Sequence, residues 1–189
     1  MTQAGQIRAF VALEMPASVR ETIRREQGAI KLELPRAGWT RPEGQHLTLR
    51  FLGETTADIL ARLKSEIRTR VVGLPAVSIS LSGAGFFPSA RRPRVAWIGG
   101  EARGGAEVAA AVEAASDEVG FEPDRRSWSL HLTQAGLDRP WPRRAVESYL
   151  AWGRGLAFEP FDCREVVLFR SELRPGGALY TPMERFPLQ

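Results

Sequence analysis

The sequence predicts a protein of two similar lobes, each built from both strands and helices. Two observations support this fold. The chain of 189 residues holds only two histidines, and each opens the pattern His-x-Thr, in His46-Leu47-Thr48 and in His131-Leu132-Thr133. The two copies lie 131 − 46 = 85 residues apart, close to half of the chain. Because the order of strand and helix partly recurs around each copy, each lobe is expected to supply one motif.

Each motif is predicted to present one imidazole and one hydroxyl to the same side of a sheet. Successive side chains of a strand point to opposite faces, so His and Thr two residues apart share a face. In the first motif Leu47, Leu49 and Phe51 should then point into a core. A single His-x-Thr is uninformative, but two copies that use every histidine favour a function. On a phosphate ester, one histidine could give a proton, the other could take one, and the hydroxyls could hold the oxygens.

The first half of the chain is predicted to alternate strands with helices. Ile7 and Ala9 alternate with Arg8 and Phe10, which indicates a strand, and Pro16 suits the start of a helix. Residues 39–44 should form a short extended piece and a turn. The predicted elements are a strand at 6–13, a helix at 19–30, the first motif strand at 45–52, a helix at 58–72 and a strand at 77–81.

The second half continues this alternation around the second motif. Residues 83–88 are glycine-rich, but no Lys and Ser/Thr follow the last glycine, so the segment does not resemble a Walker loop. Trp128, Leu130 and Leu132 should form the core face of the second motif strand. The predicted elements are a strand at 95–98, a helix at 101–119, the motif strand at 128–133, a helix at 142–152, and strands at 158–169 and 178–186 joined by a hairpin turn at Gly176-Gly177.

Composition narrows the class of protein. Hydrophobic residues make up 43% of the chain, enough for a core, yet no apolar run reaches membrane-spanning length. The first ten residues lack a basic region followed by an apolar stretch, so no signal peptide is expected. Cys163 is the one cysteine, which excludes an internal disulfide and fits a reducing compartment. A cytoplasmic location is therefore the expectation, and a monomer is expected as well.

The basic charge is almost entirely arginine, with Lys31 and Lys64 as the exceptions. A formal net charge of +4 favours phosphate-bearing partners, and guanidinium groups grip phosphate well. A GC-rich coding sequence would also favour arginine over lysine, so both explanations stay open. The densest cluster, Arg91-Arg92-Pro93-Arg94, is either a solvated loop or a phosphate-facing rim.

At these motifs the chain resembles the two-histidine (2H) phosphoesterase superfamily. Within it, the resemblance is to the RNA 2′,3′-cyclic phosphodiesterases of the LigT/ThpR family, also called 2′-5′ RNA ligases. Residues 46–53, His-Leu-Thr-Leu-Arg-Phe-Leu-Gly, closely follow the first signature of that family. Further similar segments are residues 8–12, Trp39, residues 93–99, and residues 168–173 with Gly177 and Tyr180. The resemblance therefore covers essentially the whole chain.

The resemblance implies an α+β fold in which residues 1–189 form one domain of two lobes related by a pseudo-two-fold axis. Two antiparallel sheets would face a central cleft, with helices on the outside. The implied reaction is hydrolysis of RNA or nucleoside 2′,3′-cyclic phosphates to 2′-phosphates, without metal or other cofactor. In it His46 would be the proton donor to the leaving 3′-oxygen and His131 the proton acceptor that activates water. Thr48 and Thr133 would orient the phosphate, although the residues alone do not order the two histidine roles.

The second motif departs from the family pattern at three positions. Leu130 stands where the family commonly has proline, Gln134 where it has an apolar residue, and Gly136 where it often has arginine. Arg139, or Arg91, Arg92 and Arg94 from another loop, are the candidates to bind substrate in place of that arginine.

Three alternatives stay open. The same site could act on another cyclic phosphate or a 2′-5′ linkage, including reversible 2′-5′ ligation of RNA. The chain could also be an RNA-end binding module whose catalysis has decayed. A metallohydrolase is the weakest alternative, because two histidines without an acidic ligand motif make a poor metal site.

Overall fold

A computed structural model describes residues 5–124, 126–174 and 177–189. The elements of these residues are β1 (Ile7–Leu13), α1 (Ala17–Lys31), β2 (Gly38–Trp39), a 3-10 turn (Pro42–Gly44), β3 (Leu47–Thr55), α2 (Ala57–Val71), β4 (Val77–Phe87), β5 (Val95–Arg103), α3 (Gly105–Glu118), β6 (Leu132–Gly136), α4 (Arg143–Gly155), β7 (Phe161–Cys163), β8 (Glu165–Arg174) and β9 (Gly177–Pro187). None of the described helices is both long enough and apolar enough to cross a membrane.

The strands form two antiparallel sheets, which confirms the predicted α+β fold. One sheet has four strands in the order β3-β1-β8-β9, and the other has five in the order β2-β6-β5-β4-β7. The first motif lies at the edge strand β3, and the second lies at β6 between β2 and β5. Each sheet therefore carries one motif. The assignment of residues 1–189 to a single domain stays a prediction.

The largest hydrophobic core is shared by the two sheets. Val11 of β1, Leu63 of α2 and Ile79 of β4 are all fully buried in it, together with Leu132 of β6. Helix α2 shows why the local sequence folds as it does. The hydroxyl of Thr56 accepts a hydrogen bond from the backbone nitrogen of Ile59, which caps the helix start. The buried residues of α2 recur at intervals of three and four, as predicted: Leu60, Leu63, Ile67 and Val71.

The first motif strand carries two bulges, and they change the face of Phe51. The register between β1 and β3 shifts at Leu49 and again at Leu52. Leu47 and Leu49 are buried as predicted, but Phe51 is 52% exposed and Leu52 is buried instead. The placement of Phe51 in the core was wrong, because each extra residue of a bulge reverses the alternation that follows it.

The predicted ends of β4 and β5 and the predicted start of α3 were wrong, and each lies near glycines. Strand β4 continues through the glycine-rich segment to Phe87, β5 continues to Arg103, and α3 begins only at Gly105. The glycines accommodate Trp97: a Cβ atom on Gly85 would lie 2.2 Å from the indole ring, and one on Gly99 would lie 2.9 Å from it. They therefore mark a close approach between a ring and the sheet rather than a loop.

Two other boundaries also differ from the prediction. The second motif strand begins at Leu132 rather than at Trp128, so that His131 lies immediately before β6. The predicted strand at 158–169 is two strands, because β7 belongs to the five-stranded sheet and β8 to the four-stranded sheet. The buried Val166, Val167 and Leu168 confirm the predicted core of β8. In the predicted turn, Gly176 lies outside the described residues, and Gly177 begins β9.

Helix α4 packs so closely on β4 that its contact residue must be glycine. A Cβ atom added at Gly153 would lie 2.2 Å from the Cβ of Ala84 and 2.7 Å from its backbone nitrogen. At Gly155, in the same helix, an added Cβ atom would have nothing within 4 Å. The two glycines therefore form a matched pair: Gly153 leaves no room for a side chain, whereas Gly155 does.

Gly153→Ala is expected to lower the free energy of unfolding by about 1–3 kcal/mol, because the added methyl group forces the helix away from the strand. Gly155→Ala is the control, expected to be neutral or stabilising by up to about 1 kcal/mol, since alanine is the better helix former. Urea unfolding followed by circular dichroism measures both. Equal stabilities of the two variants would contradict this packing.

Candidate active site

The imidazole of His46 is held between a backbone carbonyl and an aromatic cluster. Its Nδ1 lies 2.8 Å from the carbonyl oxygen of Gly44. Its ring stacks on Phe10 at 4.4 Å between centroids and receives the edge of Tyr180 at 5.0 Å. A carbonyl only accepts hydrogen bonds, so Nδ1 must carry a hydrogen, and Nε2 is left to exchange protons.

The imidazole of His131 is held in the same way by the other sheet. Its Nδ1 lies 3.0 Å from the carbonyl oxygen of Ser129, again two residues earlier in the chain. Phe87 of β4 meets the ring at 5.1 Å, nearly perpendicular to it, and Phe87 in turn packs on Trp97 at 5.4 Å. Both histidines thus use Nδ1 for a structural bond, which leaves each Nε2 available for chemistry.

The electrostatic environment of His46 favours its neutral form. Burial lowers the pKa of His46 from its ordinary 6.5 to about 4, the Gly44 carbonyl opposes this change, and the charge of His131 adds to it. The effect of His131 means that the two imidazoles lie close enough to interact. At neutral pH, His46 of the free protein is therefore an unprotonated imidazole.

The two threonines lie on strands of different sheets, and a hydrogen bond connects the two motif segments. Thr48 of β3 pairs with Ala12, and Thr133 of β6 pairs with Trp97. Both threonines are half-buried. The indole Nε1 of Trp128 donates a hydrogen bond of 2.8 Å to the carbonyl oxygen of Thr48. The segment that precedes His131 is therefore bonded directly to the first motif.

A cavity of about 990 Å³ opens beside the motifs and is lined from both sheets. Thr48 and His131 lie in its wall, together with the aromatic side chains of Phe51, Phe87 and Trp128. A further wall is the alanine-rich side of α3. Ligand pockets of roughly 300–1,000 Å³ take molecules of drug or nucleotide size. His46 and Thr133 are not among the residues that line it.

Three of the four candidate substrate-binding arginines do not line this cavity. Arg91, Arg92 and Arg139 are all exposed and outside its wall. Arg94, from the same basic cluster, does line it. Its Nη1 donates to the carbonyl oxygen of Asp138 at 3.4 Å, and no carboxylate pairs with it in the part of the chain that the structure describes.

Two further arginines line the cavity, but acidic side chains neutralise them. Arg50 Nη1 lies 3.0 Å from Glu113 Oε1, and Arg126 Nη2 lies 2.7 Å from Asp124 Oδ2. The Arg126 guanidinium lowers the pKa of the Asp124 carboxyl to about 2, which keeps that pair ionised. Arg94 is therefore the cavity arginine best able to attract an added anion.

The structure also places the residues at which the second motif departs from the family pattern. The register between β5 and β6 shifts at Gln134, which is fully buried. Gly136 is exposed, and it pairs with Val95, the residue next to Arg94. Arg94 is thus next in the chain to the residue that pairs with the position where the family often has arginine.

Sequence reasoning missed the aromatic supports of the two imidazoles. Phe10 was placed with Arg8 on the less buried face of its strand, yet β1 is buried on both faces and Phe10 lies under His46. Tyr180 was noted only for its resemblance to the family. An aromatic residue on the polar face of a strand is the signal that could have found Phe10. No arrangement of three or more His, Cys, Asp or Glu side chains suited to a metal ion occurs in residues 5–124, 126–174 and 177–189.

Comparison with known proteins places the chain in a family. The profile of LigT like Phosphoesterase matches residues 13–97. A curated RNA 2′,3′-cyclic phosphodiesterase of Methanothermobacter thermautotrophicus is 31% identical over 187 residues, covering 97% of this chain and 100% of that protein. The protein of the same name from Archaeoglobus fulgidus is 32% identical, covering 95% and 99%. That of Thermus thermophilus is also 32% identical, covering 97% and 91%.

Solved structures agree with these relatives. TT0787 of Thermus thermophilus superposes with a TM-score of 0.82 at 26% identity, covering 96% of this chain and 98% of that chain. Escherichia coli LigT complexed with 3′-AMP gives a TM-score of 0.75 at 25% identity, covering 97% and 99%. Fold and sequence together define the class as the 2H phosphoesterases. Within that class, the chain belongs to the LigT-like phosphoesterase family.

The free energy of unfolding is expected to fall as the pH is lowered from about 6.5 to about 4. The unfolded chain protonates His46 near its ordinary pKa of 6.5, whereas burial keeps the folded imidazole neutral down to about pH 4. Between these two pH values the unfolded state binds more protons than the folded state. Acid therefore favours the unfolded state, by at most roughly 3 kcal/mol. Urea unfolding at several pH values measures the effect. The His46→Gln variant should lose this part of the pH dependence while the His131→Gln control keeps it, and an unchanged His46→Gln profile would contradict the lowered pKa.

Proposed function

We propose that this protein hydrolyses RNA or nucleoside 2′,3′-cyclic phosphates to 2′-phosphates by acid–base catalysis with two histidines. The observation that carries the proposal is the matched pair of imidazoles, each fixed through Nδ1 by a carbonyl two residues earlier and each left with a free Nε2. The relatives that match nearly the full chain bear the name RNA 2′,3′-cyclic phosphodiesterase. This is the phosphoesterase chemistry that best fits both findings.

The reaction needs one proton taken and one given. His131 accepts a proton from water as the water oxygen attacks phosphorus. The bond from phosphorus to the 3′-oxygen then breaks, and His46 gives that oxygen its proton, which leaves a 2′-phosphate. The hydroxyls of Thr48 and Thr133 hold the other phosphate oxygens. A five-membered cyclic phosphate is strained, so positioned acid–base groups and hydrogen bonds suffice without a metal ion.

The donor role of His46 requires that substrate binding charges it. Its pKa of about 4 leaves it neutral in the free protein at pH 7. A phosphate anion beside the ring favours the charged form, so His46 takes up a proton as the substrate binds. The reversed assignment, in which neutral His46 is the base and His131 the donor, is the competing order of the same chemistry.

The cavity holds the nucleoside part of the substrate. Phe87 is 39% exposed and meets His131 directly, so a base stacked on it would place its sugar phosphate next to the imidazole. Arg94 attracts the phosphate chain of RNA in place of the arginine absent at Gly136. Arg91, Arg92 and Arg139 stay proposals for an outer contact with longer RNA. The expectation of a cytoplasmic monomer likewise stays a prediction.

His46→Ala and His131→Ala are each expected to lower kcat on a nucleoside 2′,3′-cyclic phosphate by about 10²–10⁴-fold, with excess chelator present throughout. A substrate whose bridging 3′-oxygen is replaced by sulfur orders their roles, because a thiolate leaves without a proton. The variant that lacks the donor should recover most activity on this substrate, and the variant that lacks the base should not.

Recovery by His131→Ala rather than His46→Ala would reverse the assigned roles. Loss of wild-type turnover on adding chelator would contradict a metal-independent reaction. Tight binding of RNA ends without any turnover would instead support the binding module.

Arg94→Ala is expected to raise KM for a dinucleotide with a 2′,3′-cyclic phosphate end by about tenfold, with kcat little changed, because it removes one phosphate contact. The slope of log KM against log salt should also decrease. Arg139→Ala and the Arg91→Ala/Arg92→Ala double variant are the comparisons, and both should have smaller effects on this short substrate. A larger effect of either comparison would move the anion contact out of the cavity to the exposed loops.

A further inference from the structure

Behind the two motifs lies a buried cluster of three glutamine side chains. Gln134 is 0% exposed, Gln27 of α1 is 1% exposed and Gln45 is 3% exposed. Gln27 Nε2 donates to Gln134 Oε1 at 3.2 Å, and Gln45 Nε2 donates to the same oxygen at 3.5 Å. Gln134 Nε2 donates to the carbonyl oxygen of Leu132 at 3.4 Å. The Gln134 oxygen therefore accepts from two amides, and the cluster joins three separate parts of the chain.

The position of this cluster in the sequence links the two motifs. Gln45 immediately precedes His46, and Gln134 immediately follows Thr133. Gln134 is the extra residue of the bulge in β6, and its side chain is buried against Gln27 of α1. A side chain bonded there cannot also reach a phosphate in the cleft. Any effect of Gln134 on the reaction must pass through the residues that it holds.

Among the described residues, the Gln45 side chain makes one hydrogen bond, which its Nε2 donates to Gln134 Oε1. Gln45 Oε1 is buried with no hydrogen-bond partner among the described residues. Buried amides nearly always have partners, and leaving them without one is costly. The Gln134 oxygen, at 3.5 Å, is therefore the side-chain contact that connects the residue before His46 to the second motif, beside the backbone hydrogen bond of 3.1 Å that the Gln45 nitrogen donates to the carbonyl oxygen of Pro42.

We propose that Gln134 is a positioning residue that fixes His46 relative to His131 by holding the Gln45 side chain from behind. An apolar side chain of the same size would fill the space but could slide, whereas a satisfied polar network specifies one arrangement. Gln27 completes the link, since its Nε2 also lies 3.2 Å from the carbonyl oxygen of Thr40, just ahead of the turn that leads to His46. This proposal rests on the proposed two-histidine reaction.

The test replaces the amide by a thioether of similar size, in Gln134→Met and, at the other end of the link, in Gln45→Met. Each variant is expected to lower kcat by about tenfold to 10²-fold with KM nearly unchanged, because misplacing one catalytic group by about 1 Å costs that much. The double variant should have a kcat no lower than that of the more impaired single variant, since both substitutions remove the same hydrogen bond between Gln45 and Gln134.

Nuclear magnetic resonance gives a readout that does not depend on turnover. The chain has two histidines, so its imidazole region holds two signals, and His131→Asn assigns them. In Gln134→Met the pKa of His46 should rise toward its ordinary value as the ring loosens and meets water. If wild type hydrolyses no cyclic phosphate, the proposed function fails, while this titration still decides whether Gln134 holds His46.

Ser116→Ala is the matched control. Ser116 is also 0% exposed and donates one hydrogen bond, from Oγ to the carbonyl oxygen of Val112 at 2.8 Å, but it does not touch either motif. It should lower stability without changing kcat or the His46 titration. The proposal is overturned if folded Gln134→Met and Gln45→Met keep the wild-type kcat, or if Ser116→Ala changes kcat and the His46 titration as much as they do.

Discussion

The arrangement of this site depends on joining two separate sheets at a fixed spacing. The histidines directly precede β3 and β6, which do not pair with each other, so no ladder of backbone hydrogen bonds sets the distance between the imidazoles. Side chains must do it instead. The Trp128 indole reaches the Thr48 carbonyl from one side, and the Gln134 amide reaches Gln45 from the other. A shared apolar core lies beneath these contacts and contains residues of both sheets.

Within that frame the two histidines have the same local geometry but different surroundings. Each ring is bonded through Nδ1 to a carbonyl two residues earlier and packs on aromatic side chains. His46 is enclosed by Phe10 and Tyr180, and this enclosure lowers its pKa to about 4. His131 instead lines the open cavity. Two histidines that look equivalent in the sequence therefore have unequal surroundings, and burial by itself favours the neutral form of His46.

The sequence predicted the class of fold through its alternation of strands and helices together with the family resemblance, and the repeated spacing singled out the two motifs as candidate site residues. Prediction from the sequence failed at positions whose structure depends on packing between residues that are distant in the sequence. The bulges of β3 expose Phe51, and nothing in a two-residue alternation announces a bulge. Gly85 lies in a strand, and the ring of Trp97 on the neighbouring strand covers it. Composition does not reveal this contact between strands. Arg94 lies in the cavity while its neighbours Arg91 and Arg92 lie outside, and only the course of the loop separates them.

Tyr180 shows how late in the chain the environment of His46 is completed. Its ring belongs to β9, at the far edge of the sheet from β3, yet it touches an imidazole 134 residues earlier (180 − 46). Folds rich in contacts between such distant residues form slowly, because the intervening chain must be closed into a loop before the contact is gained. The depressed proton affinity of His46 is therefore a property of the finished molecule alone. A single imidazole resonance could thus report whether a preparation of this protein is completely folded.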